Sequence, residues 1–250
     1  MNINNIIYYI SLIIIGIMFF NILKLSKRNN RSKKLINVVK TFNGKEVFFE
    51  NIENFINTIN DNEFLNKGRI VKVWGLIYYG RYDEVVEESK KINFNNLLST
   101  NKKGYSIENN EDSIYYYLLA SQNTLYSNNK IDIMKQLNNL FTIKEDINET
   151  LIYKIYESNQ KYYFKEDDLG KNFFENVLEG NYSEYYYNKK LIGIYKSIVT
   201  IVLAKIYIDE NEKEKFNDLK EDLYNYKETV IGNRFIEELN LNDYLKEEEK

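Results

Sequence analysis

The sequence predicts an all-α protein: an N-terminal transmembrane helix followed by an α-solenoid of helical hairpins. Three observations carry that expectation. The first 23 of the 250 residues hold no charged side chain, and a helix crosses a bilayer core with about 20 apolar residues. Beyond residue 35, apolar side chains recur at i, i+3, i+4 and i+7, the amphipathic-helix period, with no sustained alternation and no Pro. Short polar breaks separate these stripes, which makes successive helices antiparallel neighbours.

The N-terminal element comes first. Residues 6–23 read IIYYISLIIIGIMFFNIL, eighteen positions without a charge. Tyr8 and Tyr9 suit the interfacial zone where aromatic rings settle. A cleavable signal peptide wants positive charge ahead of its apolar run and small residues at a cleavage site, and neither is present. A buried soluble helix would show a polar face, and this stretch has none. Residues 1–23 are therefore expected to anchor the chain in a membrane. Lys24, Lys27, Arg28, Arg31, Lys33 and Lys34 follow as a basic juxtamembrane collar over residues 24–34, with no acid among them. The positive-inside rule then places the N-terminus outside and the C-terminal domain in the cytoplasm. The same cations would face anionic headgroups, each adding about 1 kcal/mol near the surface.

Charge and composition exclude several function classes. Lys and Arg number 34 and Asp and Glu 37, a net charge of −3. With six cations in the collar, residues 35–250 carry 28 basic and 37 acidic groups, a net −9. Nucleic acid needs a cationic face, so none is expected as a partner. His and Cys are absent, which removes imidazole bases, thiolate nucleophiles, disulfides and the usual zinc ligands. A hydrophobic content of 44% with 15% aromatics is enough to bury a core. The 37 Asn and 23 Tyr read as the codon bias of an AT-rich genome.

The body resolves into stripes. Phe48, Ile52, Phe55, Ile56 and Ile59 make one, and Leu65, Ile70, Val73, Trp74 and Ile77 the next. Tyr117, Leu118 and Leu125 precede Ile133, Leu137 and Leu140; Leu151, Ile155 and Tyr162 precede Leu169, Phe173 and Val177. Ile194, Ile198, Ile201, Val202 and Ile206 lead into Phe216, Leu219 and Leu223. The breaks fall at Gly80–Arg81, Ser127–Asn129, Lys165–Glu166 and Asp209–Asn211, each shortly after a Tyr: Tyr79, Tyr126, Tyr163 and Tyr207. The second helices of the hairpins are expected over residues 83–92, 130–141, 167–178 and 212–226. A single hairpin buries one face only, and stacking completes the core, as in an α-solenoid.

Residues 74–87, WGLIYYGRYDEVVE, resemble the helix–turn–helix core of a tetratricopeptide repeat (TPR). Gly75 matches the glycine of the first helix, and Gly80-Arg81-Tyr82 matches the Gly-x-Tyr turn. Val85 or Val86 stands where the family has a small residue, and the Pro that closes each repeat is missing. The later hairpins keep the aromatic before the turn. With anchor and collar, the chain is similar to single-span, membrane-anchored TPR-like proteins of low-GC bacteria. The resemblance implies degenerate TPR-like hairpins over 35–250 and a scaffold for protein–protein contact, not an enzyme.

Residues 93–112 interrupt the pattern and read as a loop that includes Gly104; residues 245–250 read as a frayed helix end. The acidic residues cluster at turns and in first helical turns, where they favour the positive helix end rather than a metal or glycosidase site. Gly44-Lys45 and Gly170-Lys171 lack the upstream glycine of a phosphate loop. No cofactor, metal ligand or catalytic residue is expected. First helices line the concave side in the family it resembles, so Tyr115, Tyr116, Tyr153, Tyr156 and Tyr195 are the aromatics expected to contact a protein or peptide partner. The alternative is a structural protein of the membrane that self-associates through its repeats without a separate ligand.

Overall fold

The computed structural model describes the backbone of residues 3–93, 111–140, 150–165, 169–187 and 189–246, with the side chains there except at 3–20, 22, 111–116, 169 and 230–231. Among the described residues the regular structure is helical. Twelve α-helices and a closing 3-10 turn are joined by loops, and Thr150–Tyr186 forms an isolated bridge rather than a strand. The all-α class matches the sequence-based expectation. The chain divides into two compact units, residues 1–68 and 69–250.

In the first unit, α1 (Ile3–Lys40) is one continuous helix of 38 residues, about 57 Å at 1.5 Å per residue. After a turn closed by the Gly44 N–H donating to the Thr41 carbonyl at 3.0 Å, α2 (Lys45–Thr58) runs back along its C-terminal part. The buried stripe Phe48, Ile52 and Phe55 explains why α2 is helical and which side faces inward. Phe48 meets Phe42 edge-on at 4.9 Å. Two collar cations are claimed by acids at the start of the following helix: Arg28 reaches Glu63 at 3.2 Å and Arg31 reaches Asp61 at 2.5 Å. Lys24, Lys27, Lys33 and Lys34 stay exposed. Because α2 packs on α1, the first unit extends past the collar. The side chains of residues 6–20 and 22, within the expected anchor, lie outside the described residues. Among those described, no helix is long and apolar enough to cross a membrane.

α3 (Asn62–Tyr78) carries the chain into the second unit. There follow α4 (Tyr82–Ser89), α5 (Glu111–Ser127), α6 (Ile131–Leu140), α7 (Leu151–Phe164), α8 (Leu169–Glu179) and α9 (Ile192–Asp209). The unit closes with α10 (Lys213–Asp218), α11 (Lys220–Lys227), α12 (Val230–Glu238) and the turn Asn242–Leu245. First helices pack on first helices, α5 on α7 and α7 on α9, while α4 packs on α6. α9 is apolar nearly all round and buried from Ser197 to Ala204, as a helix with neighbours on every side must be. It contacts α7, α8, α10, α11 and α12.

All four expected breaks pass through a residue with left-handed backbone. Gly80, Asn129, Lys165 and Asn211 adopt φ of 71°, 54°, 55° and 61°. At Gly80 the Arg81 N–H donates to the Leu76 carbonyl at 2.8 Å and the Gly80 N–H to that of Ile77 at 3.1 Å. These are the paired bonds that satisfy the last carbonyls of a helix when a left-handed residue follows it. The same pair recurs at Asn129 and Asn211. Gly170 has a different role. A Cβ there would lie 2.6 Å from the Ser158 carbonyl oxygen, so its absence lets α8 approach the α7 backbone.

Several expectations are corrected. The helix expected over 212–226 is two, α10 and α11, broken where the Leu219 N–H bonds to Phe216 three residues back rather than four. Leu245 is not frayed. It is buried, and its carbonyl accepts a 2.6 Å hydrogen bond from the Tyr224 hydroxyl. α12 was not anticipated. The expected loop ends by residue 111, where α5 begins; residues 94–110, Gly104 among them, lie outside the described residues.

Candidate partner-binding face

α12 is held at both ends. The Thr229 hydroxyl accepts the Gly232 N–H at 3.0 Å, an N-cap, and Asn240 ends the helix with φ of 56°. Between them Phe235, Ile236 and Leu239 are fully buried, and α12 packs on the first helices α5 and α9. Its polar residues reach a third first helix, α3. Arg234 places its guanidinium 5.3 Å from the Trp74 ring and 5.2 Å from that of Tyr78, a cation over electron-rich faces. Tyr117 of α5 completes the aromatic group, 5.0 Å from Trp74.

Glu238 lies beneath this group at 5% exposure. Its Oε1 faces the Trp74 Nε1–H at 3.4 Å, a long hydrogen bond, and its Oε2 has no hydrogen-bond partner. Burial pushes its pKa up to about 8, outweighing the Arg234 charge and the indole N–H that favour ionisation; Glu237 adds a small push upward. The carboxyl is therefore mostly neutral at pH 7. Burial also raises the Tyr117 hydroxyl to about 12.

Two of the expected contact tyrosines are buried. Tyr156 and Tyr195 are 3% and 2% exposed. Tyr153 is half-buried, its ring 6.3 Å from that of Tyr156 and 5.7 Å from the Lys154 ammonium. The side chains of Tyr115 and Tyr116 lie outside the described residues. Position on a first helix was read as position on a binding face, but these helices have neighbours on more than one side.

A buried amide cluster between α5 and α7 was missed altogether. Asn159 Nδ2 donates to Gln122 Oε1 at 2.9 Å and to Asn123 Oδ1 at 3.2 Å, and the Tyr163 hydroxyl donates to Asn123 Oδ1 at 2.8 Å. Such a network fixes the register of two helices because every slipped arrangement strands polar groups. Gln122 also lines a cavity of about 20 Å³, room for one water molecule. In so Asn-rich a chain, the only available signal was polar residues interrupting the apolar stripe of α5.

The tyrosines ahead of the turns have a structural task. Tyr126 stacks on Tyr163 at 4.0 Å and 11°, and its hydroxyl donates to Asp209 at 2.9 Å. The Tyr207 hydroxyl donates to Glu175 at 2.9 Å. Lys171 bridges Glu210 and Glu212, and Lys205 holds Asp209 at 2.6 Å. At the α3–α4 hairpin, burial alone would raise the Glu88 carboxyl, but hydrogen bonds from Lys72 and Lys91 outweigh it and hold the group below its usual range. These carboxylates are engaged by lysines and tyrosines, and among the described residues no group of three converges to hold a metal ion.

The arrangement defines an all-α protein of stacked helical hairpins whose first helices α3, α5 and α9 are bridged by a C-terminal helix. No family model, no curated protein and no solved structure matches the chain.

Proposed function

We propose that the chain is a membrane-tethered, TPR-like adaptor. Residues 6–23 anchor it, residues 24–34 lie at the inner membrane surface, and the helical hairpins bind a protein or peptide partner in the cytoplasm. The observation that carries this reading is the pairing of an uncharged run with a six-cation collar on one 38-residue helix. About 57 Å of helix exceeds a hydrocarbon core of about 30 Å and leaves a rigid stem on the collar side. Leu23 and Leu25, 44% and 59% exposed, present apolar side chains at the start of the collar. Support for the adaptor half comes from the packing of α5 on α7, α7 on α9 and α4 on α6, like helix on like helix, as α-solenoids build extended recognition surfaces. With neither His nor Cys, and with no three acids converging among the described residues, the body is read as non-enzymatic.

Chemical cross-linking in intact cells, followed by isolation of the tagged full chain from solubilised membranes, tests the proposal. A distinct protein recovered in stoichiometric amount supports it. Recovery of cross-linked copies of the chain alone, or of the chain from the soluble fraction, overturns it in favour of self-assembly or of a protein without an anchor.

A further inference from the structure

The face that stacked hairpins would offer to a partner is, in this chain, already covered. α12 crosses three first helices: Phe235, Ile236 and Leu239 are buried where it packs on α5 and α9, and Arg234 and Glu238 reach Trp74 of α3. We propose that the α3–α5–α9 face is the partner-binding surface and that α12 is its resident self-ligand, displaced by an amphipathic helix of the partner. The inference rests on the adaptor reading and says which surface and what chemistry it uses.

Three features mark α12 as a replaceable ligand. At nine residues it falls below the length at which a helix is stable alone, so it is helical because it is docked. It sits at the edge of the packing: its most extensive contact is with α11, an eight-residue helix in which only Leu223 is buried, and after it the described chain has one further turn, Asn242–Leu245, held by buried Leu241 and Leu245. Its docked face also contains a mismatch. Glu238 is buried with one oxygen unpartnered and the other at 3.4 Å from its donor, an arrangement that burial of apolar surface alone would not select.

The self-ligand specifies its competitor. The face accepts adjacent bulky apolar residues, a carboxyl two positions beyond the second of them, and a further apolar residue after it, as in Phe235-Ile236-Glu237-Glu238-Leu239. A competing helix that places its acid nearer a cation, or leaves it in water, removes the mismatch and displaces α12. This recognition reads i, i+1 and i+4 anchors of one helix in a groove.

A fluorescent peptide of residues 229–246, titrated into the full chain in detergent micelles, tests the inference. The parent should bind it weakly, being self-occupied. A chain carrying Phe235→Ala and Leu239→Ala should bind at least tenfold more tightly, and a peptide carrying the same two changes should not bind either chain. Absence of binding by a folded double variant, or equal binding to parent and variant, overturns the proposal. Should the variant not fold, hydrogen exchange of the parent decides: α12 amides exchanging at least tenfold faster than those of α9 support release, and equal protection overturns it. Neither readout depends on which side of the membrane the domain occupies. Their failure with a cytoplasmic partner confirmed would remove this inference and leave the adaptor reading.

Discussion

Glu238→Gln separates the charge of the buried carboxyl from its shape. In the folded chain the group titrates near pH 8, against an ordinary value of 4.5. The folded state therefore holds a proton that the unfolded state has already released over that interval. The linked stabilisation is full below about pH 4.5 and is lost as pH rises towards 8. At 1.36 kcal/mol per unit, the interval corresponds to about 3–5 kcal/mol. Gln keeps the carbonyl that faces the Trp74 N–H and cannot ionise, so the variant should lack this component. Near pH 4.5 parent and variant should agree within about 1 kcal/mol, the scale of one altered hydrogen bond. Near pH 8 the variant should be the more stable by about 3–5 kcal/mol. Urea unfolding of the full chain in detergent at a series of pH values, followed by the fluorescence of Trp74, measures both curves. As the sole Trp, it lies against the substituted group. Parallel pH dependences for the two proteins would refute the reasoning, because the other titrating groups are common to both.

Gly80→Val should lower stability by about 1–3 kcal/mol, the usual scale for a side chain forced into left-handed backbone, with Gly80→Asn milder; thermal unfolding measures both. Gly170→Ala should cost a similar amount, about 1–3 kcal/mol for overpacking, because its Cβ would press on the Ser158 carbonyl at 2.6 Å. Asn159→Ala removes a donor shared by Gln122 and Asn123 and should cost about 1–3 kcal/mol, read as a lower denaturation midpoint. A reporter fused after Lys250 should be active in the cytoplasm alone, and replacing Lys24, Lys27, Arg28, Arg31, Lys33 and Lys34 by Gln should scramble that orientation in a protease-protection assay.

What the sequence determined alone was local. The helical stripes from Phe48 to Leu223 were legible because the 3.6-residue period is written in neighbouring positions. So were the four turns, since Gly80, Asn129 and Asn211 are residue types that tolerate left-handed backbone; Lys165 was found only through the polar break around it. The uncharged run and the collar were legible for the same reason, each being a property of one contiguous segment.

What only the tertiary structure decided was which faces meet. The tyrosines before the turns were visible, but that Tyr126 bonds to Asp209, 83 residues away, depends on two hairpins being stacked. Tyr156 and Tyr195 lie on helices of the expected type and are buried all the same, because a stripe records that a helix is covered and not how many neighbours cover it. α12 shows the limit most plainly. Its Phe235, Ile236 and Leu239 are too few to announce a helix, and its Glu238 argues against burial; only docking on α5, α9 and α11, with Trp74 of α3 against Glu238, supplies the surface that makes those nine residues helical. Local backbone preference is encoded residue by residue, whereas burial is a property of pairs of surfaces brought together from distant parts of the chain.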